Sequence, residues 1–144
     1  MERKTVFVTG VTGSMGGAFM RIYESDRQKY PYKLKVLARD TARSRRKLRP
    51  YKNNPDIEII YGDLRDPEAV ARGVEGADYV IHVGGMVSPA ADYFPEETMD
   101  VNVNAMRNIV EAAKRQPDPD KVHVVYIGSV SQLGMRHVPH HWGR

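Results

Sequence analysis

Thr5-Val6-Phe7-Val8-Thr9-Gly10-Val11-Thr12-Gly13-Ser14-Met15-Gly16 decides the fold. The first five residues are β-branched or aromatic and read as a buried strand that stops at a glycine. Behind it, Met15, Ala18, Phe19, Ile22 and Tyr23 recur at i, i+3, i+4, i+7 and i+8, the stripe of an amphipathic helix. A glycine triplet alone is weak evidence; set between a strand and a helix it gains meaning. Gly10 allows a tight turn, Gly13 leaves the backbone open to a close approach, and Gly16 lets helix and strand pack together. The helix N-terminus then offers unbonded N–H groups and a partial positive charge, which suit phosphate. The competing reading of the stretch is a flexible turn without a ligand.

Working outward, the same alternation continues. Leu34 to Ala38 reads as a second strand, Thr41 to Arg49 as a basic helix that Pro50 ends, and Ile57 to Tyr61 as a third strand. Asp66-Pro67-Glu68 opens a helix with an Asp cap, Pro at the first position and an acid in the first turn. Tyr79 to Val83 is a fourth strand. A long helix runs from Pro95 or Asp100 to Arg115, with Val103, Met106, Ile109, Val110 and Ala113 on its buried face. Pro117-Asp118-Pro119 stops it, and Val122 to Ile127 is a fifth strand. Strands alternating with helices predict an α/β fold: a three-layer, doubly wound parallel sheet, Rossmann-like, of about five strands and truncated after the fifth. The expected organisation is one dinucleotide-binding domain over 1–134, with 135–144 a loop or tail leading onward.

Composition narrows the function classes. The chain has 144 residues, 41% hydrophobic and 28% charged, an ordinary globular mixture. No stretch approaches the roughly 18 apolar residues of a membrane span, so no membrane role is expected. Cysteine is absent, which removes disulfides, thiolate catalysis and cysteine-bound zinc. Met1-Glu2-Arg3-Lys4 runs straight into the first strand, leaving no room for a signal peptide, and a cytoplasmic location fits. The formal charge of +4 is local: Arg39 to Lys52 holds seven basic residues and one acid, Asp40. A local cluster suits one phosphate, and a solvated helix face is its bland alternative.

The end of the second strand reads the dinucleotide. An acid there would accept the ribose hydroxyls of NAD and repel a 2′-phosphate. Ala38 fills that position, 22 residues beyond Gly16, and Arg39 follows, with Arg43 and Arg46 on the next helix. A guanidinium holds phosphate through two N–H groups and stacks on adenine, so NADP is the expected cofactor. If Asp40 takes the ribose instead, the reading reverts to NAD.

Together these residues resemble the extended short-chain dehydrogenase/reductases, the NAD-dependent epimerase/dehydratase superfamily. The resemblance rests on Thr9-Gly10-x-x-Gly13-x-x-Gly16, Gly62-Asp63-Leu64 and Asp78-x-Val80-Ile81-His82. It also rests on Asp100-Val101-Asn102-Val103-Asn104-Ala105 and on Val125 to Gly134, and covers Thr5 to about Gly134. Arg39-Asp40 is most similar to the NADP-dependent carbonyl reductases that act on flavonol-type substrates. The resemblance implies an oxidoreductase with a small-molecule substrate. It implies that Thr12, Ser14 and Met15 in the glycine loop contact the dinucleotide, that Asp63 binds the adenine amino group, and that Leu64 touches the ring. Val83, Gly84 and Gly85 would pass close to the nicotinamide ribose, the glycine pair replacing the family's Ala-Ala and loosening the fit. Asn102 would join the long helix to the fourth-strand loop. Ser129 would hydrogen-bond the substrate; Ser131 is the other candidate because the register is open by two, and either serine could instead cap a loop.

One absence stands against these matches. The family's Tyr, followed four residues later by Lys, provides the proton donor and acceptor. None of the eight tyrosines here has Lys at that spacing, and the chain ends 15 residues past Ser129. The chain alone is therefore expected to be inactive. A non-catalytic NADP-binding sensor of the same fold is the alternative, and a nucleic-acid binder ranks last because no aromatic residues interleave with the arginines. No metal is expected: His137, His140 and His141 lack a carboxylate cluster and read as loop residues. Trp142 beside them suits a substrate lid, and His82 reads as a satisfied core histidine. The apolar edge of the fifth strand and the long helix predict a homo-oligomer.

Overall fold

The computed structural model describes residues 3–129. β1 (Thr5–Thr9), β2 (Lys33–Ala38), β3 (Ile57–Tyr61), β4 (Tyr79–His82) and β5 (His123–Tyr126) form one parallel sheet in the order β3-β2-β1-β4-β5. The helices are α1 (Ser14–Ser25), α2 (Ala42–Leu48), α3 (Pro67–Val74), α4 (Ala90–Tyr93), α5 (Pro95–Met99) and α6 (Ala105–Lys114). This is the doubly wound Rossmann-like sandwich that the alternating pattern predicts.

The period-2 alternation of β1 shows how the two layers arise. Val6 and Val8 face Met20 and Tyr23 of α1 and Leu48 of α2. Phe7, pointing the other way and fully buried, meets Val70 and Val74 of α3 and Ile109 of α6. Burying a side chain of that size stabilises the fold by about 2–3 kcal/mol. Asp66 caps α3 by accepting the Glu68 N–H at 2.9 Å, with Pro67 in the first turn, as its sequence predicts.

Four elements depart from expectation, each for a local reason. On α1 the buried line is Gly16, Met20 and Tyr23, while Met15 and Ile22 are exposed. A Cβ on Gly16 would stand 2.2 Å from the Gly10 carbonyl oxygen, so the helix must turn its bare position inward and its stripe rotates. β4 ends at His82 rather than Val83, because its partner β1 leaves the sheet at Gly10. β5 spans only His123–Tyr126. The long helix runs without a gap through α5, a π-helical turn over Asp100–Asn104 and α6, and the turn shifts its buried line in α6 to Ala105, Ile109 and Ala112. Val103 faces solvent. The π turn sits where the Asn102 side chain bonds another loop, a common setting for such bulges.

Candidate functional site

Strand order reverses between β1 and β4, and in open α/β sheets ligands bind at the carboxyl ends of the strands beside that point. A cleft of about 370 Å³ lies there, lined by Gly10, Thr12 and Gly13, by Ala38, Arg39 and Arg43, by Asp63 and Leu64, and by Val83, Gly84 and Gly85. Gly10 has φ of +73°, and a Cβ on it would come 2.6 Å from the Gly84 nitrogen. The first loop thus lies directly on the fourth-strand loop. Ser14, Met15 and Gly16 form the first turn of α1 behind this loop, with Met15 exposed.

The basic helix divides along its buried stripe. Thr41 caps α2 by accepting the Ser44 N–H at 3.1 Å, and Ser44 and Leu48 anchor it to the core. At about 100° per residue, Arg43 and Lys47 fall on one flank and Arg45 and Arg49 on the other, while Arg46 points outward. The contacts follow this division. Arg43 lines the cleft; Arg45 and Arg49 line a separate hollow at the β3 edge; Arg46 is exposed and lines neither. Lys47 Nζ donates to the Thr12 carbonyl at 2.5 Å, tying α2 to the glycine loop. Sequence reasoning missed this residue, although its spacing of four from Arg43 was a usable signal.

Asp40 is committed elsewhere. Arg45 donates to both of its carboxylate oxygens, from Nε at 2.6 Å and Nη2 at 2.9 Å, and lies over the Tyr61 ring at 4.3 Å. These hydrogen bonds hold the Asp40 carboxyl below its usual range. Asp63 at the end of β3 forms a similar fork with Arg65, again lowering its pKa. Arg65 also lies 3.9 Å from Glu97 and from Asp100, and Asn108 donates to the Leu64 carbonyl at 3.0 Å. Neither Arg65 nor Asn108 was singled out in the sequence.

Asn102 bonds the backbone of Met86 in both directions, accepting its N–H at 2.7 Å and donating to its carbonyl at 2.9 Å. The glycine pair does not loosen this wall. A Cβ on Gly84 would meet Leu64 Cδ1 at 2.7 Å, and one on Gly85 would meet Asn102 Oδ1 at 3.0 Å, so neighbouring side chains fill the space of the missing methyls.

His82 is a buried core residue with Nδ1 2.7 Å from Thr9 Oγ1, but it is satisfied only on that side, since its Nε2 has no partner among the described residues. Ser129 is exposed three residues beyond β5. Ser131, His137, His140, His141 and Trp142 lie outside the described residues. Among the described residues no cluster of His, Cys, Asp and Glu could hold a metal, and no helix is long and apolar enough to cross a membrane.

The model of the NAD dependent epimerase/dehydratase family matches residues 6–141. UDP-glucose 4-epimerase of Rickettsia felis is 30% identical over 112 residues, covering 76% of this chain and 33% of its own length. The crystal structure of Pen from Bacillus thuringiensis superposes with a TM-score of 0.75 at 25% identity, over 92% of this chain and 40% of that one. A variant of uronate dehydrogenase from Agrobacterium tumefaciens, complexed with NAD, gives 0.60 at 25% identity, over 89% of this chain and 42% of that one. The chain thus spans about a third of the length of the curated relatives it matches.

Proposed function

The chain belongs to the NAD dependent epimerase/dehydratase family, and from that premise we propose that it is the dinucleotide-binding portion of an epimerase, dehydratase or carbonyl reductase that prefers NADP to NAD. The Asp40–Arg45 fork carries the preference. With Ala38 at the strand end, and with Asp40 drawn onto Arg45 and outside the cleft lining, no carboxylate at the end of β2 is in place to take the ribose hydroxyls. Arg39 and Arg43 line the same part of the cleft and suit a 2′-phosphate. Gly10 and Gly13 leave room for the pyrophosphate, and Asp63 accepts the adenine amino group through the lone pairs that Arg65 does not use.

The bound dinucleotide would supply hydride transfer. Ser129, or Ser131 two residues on, would hydrogen-bond a carbonyl or hydroxyl of a small-molecule substrate. The Tyr–Lys pair that moves the proton in this family is not contained in these 144 residues, so the chain by itself does not turn over. It self-associates through its exposed apolar surfaces.

Calorimetry tests the cofactor reading. NADPH binds more tightly than NADH, and Arg39→Ala removes most of the difference; equal affinities in the unmutated protein overturn the assignment. Aldehydes, ketones and sugar nucleotides should all leave NADPH unoxidised. Any turnover abolished by Ser129→Ala would place the proton donor within this chain.

A further inference from the structure

The seven basic residues between positions 39 and 52 are not equivalent. Arg45 is paired with Asp40, the other six have no ion-pair partner among the described residues, and of those six Arg39 and Arg43 line the cleft while Lys47 reaches the Thr12 carbonyl at its rim. Those three follow one another at intervals of four. The capping of α2 by Thr41 and the burial of Ser44 and Leu48 turn Arg43 and Lys47 to the flank that faces the glycine loop. Cations gathered on one flank repel each other, and an anion bound between them relieves that repulsion.

Lys47 is placed unlike the others. Its Nζ reaches across from α2 to the Thr12 carbonyl at 2.5 Å, and Thr12 lines the cleft next to Gly13. One of the three ammonium donors is used by that carbonyl, which leaves two for an incoming anion. The contact has a second consequence. A backbone carbonyl oxygen at the rim of an anion site repels the anion, and an ammonium held on that oxygen reverses the local sign.

We propose that Lys47 is the third cation of a 2′-phosphate site, with Arg39 and Arg43, held at the cleft rim by its bond to the Thr12 carbonyl. The site then reads the phosphate from three sides. Arg39 leaves the end of β2, Arg43 leaves the first turn of α2, and Lys47 leaves its last turn as a compact point charge. NADP selectivity therefore depends on α2 as well as on the strand end. This rests on the NADP reading above.

Binding of NADPH, NADH, adenosine 2′,5′-bisphosphate and 5′-AMP to the unmutated protein, Lys47→Met and Lys47→Arg tests it. Lys47 is exposed, so both variants should fold, which circular dichroism checks. Lys47→Met should weaken NADPH and the bisphosphate about five- to tenfold, the scale of one charge-assisted hydrogen bond, and leave NADH and 5′-AMP within about twofold. Lys47→Arg should retain most of the preference. Equal loss for all four ligands would make Lys47 only a loop anchor and overturn the proposal, as would no loss at all. A protein that binds NADPH and NADH alike overturns the cofactor reading and this proposal together. An NADPH preference that Lys47→Met leaves undiminished overturns this proposal alone.

Discussion

Thr9 Oγ1 stands 2.7 Å from His82 Nδ1, and the same hydroxyl oxygen accepts the Gly84 N–H at 3.1 Å. One side chain thereby connects the end of β1, the end of β4 and the loop that closes over Gly10. The Thr9 oxygen carries two lone pairs besides its proton, so it can serve Gly84 and His82 together, as donor or acceptor toward Nδ1 according to the ring tautomer. Tyr126 of β5 stacks on that ring with centroids 5.9 Å apart.

This arrangement predicts a specific pH dependence. Burial lowers the His82 pKa below its ordinary 6.5. The unfolded chain therefore takes up a proton at a higher pH than the folded chain. Stability is complete above about pH 6.5 and falls as the pH drops through the folded value. The paired carboxylates, with Asp40 and Asp63 held below their ordinary 3.8, act only at much lower pH. Tm measured at pH 7.5 and 5.5 should fall, and the fall should shrink in His82→Gln. Thr9→Val serves as a second variant: it removes the hydroxyl bridge and should lower Tm at both pH values. An identical pH response in His82→Gln would show that another group is responsible.

The glycines of the first loop separate fold from binding. Gly10→Ala combines a positive φ, which costs an L-residue about 1–2 kcal/mol, with a Cβ 2.6 Å from the Gly84 nitrogen. It should lower Tm by several degrees and abolish dinucleotide binding. A Cβ on Gly13 meets only the Gly10 carbonyl oxygen, at 3.3 Å. Gly13→Ala should leave Tm close to that of the unmutated protein yet weaken NADPH at least tenfold, because the methyl would occupy the space proposed for the pyrophosphate. Undiminished NADPH binding by Gly13→Ala would remove this loop from the cofactor site.

How far the sequence could be read depends on the range of each interaction. The strands, the α3 cap and the glycine loop are encoded within a few residues, and periodicity exposes them. Asn102 was legible because a motif marks it. The Arg45–Asp40 fork was hidden because Arg43, Arg45 and Arg46 are chemically similar. Only the burial of Ser44 and Leu48 decides which of them faces the cleft. Lys47 and Thr12 are 35 residues apart, and no local pattern connects a lysine to a particular backbone carbonyl. The rotated stripe of α1 follows from a collision between Gly16 and Gly10, which apolar spacing cannot register.

Arg45 also offers a test of the cofactor reading from outside the cleft. Its fork neutralises Asp40. Arg45→Met releases that carboxylate beside the place proposed for the 2′-phosphate. NADPH should weaken about three- to tenfold, the effect of one nearby like charge in partly aqueous surroundings, while NADH is unchanged or tightens. Calorimetry at low salt gives the largest contrast, since exposed charges are screened within about 8–10 Å at ordinary ionic strength. Equal weakening of both dinucleotides would show that Arg45 matters only for the shape of the β3 edge.

Association follows from what the described surface leaves apolar. Among the described residues β5 is an edge strand of the sheet, and Val125, Tyr126 and Ile127 are 46%, 54% and 39% exposed. Beside it lies an apolar hollow of about 350 Å³ lined by Phe19, Ile22, Tyr32, Tyr79, Ile81 and Val125. An edge with unpaired N–H and C=O groups next to an apolar surface favours pairing with a second chain. The α5–α6 segment is the other expected contact, with Met99 and Val103 exposed. At micromolar concentration, size-exclusion chromatography with light scattering should show a dimer or larger species. Ile22→Lys and Val125→Lys should shift it toward the monomer if the hollow is the contact, and Val103→Lys should do so if the helix is. A clean 16.3 kDa species from the unmutated protein would mean that this surface is covered within the chain, and the self-association reading would fall.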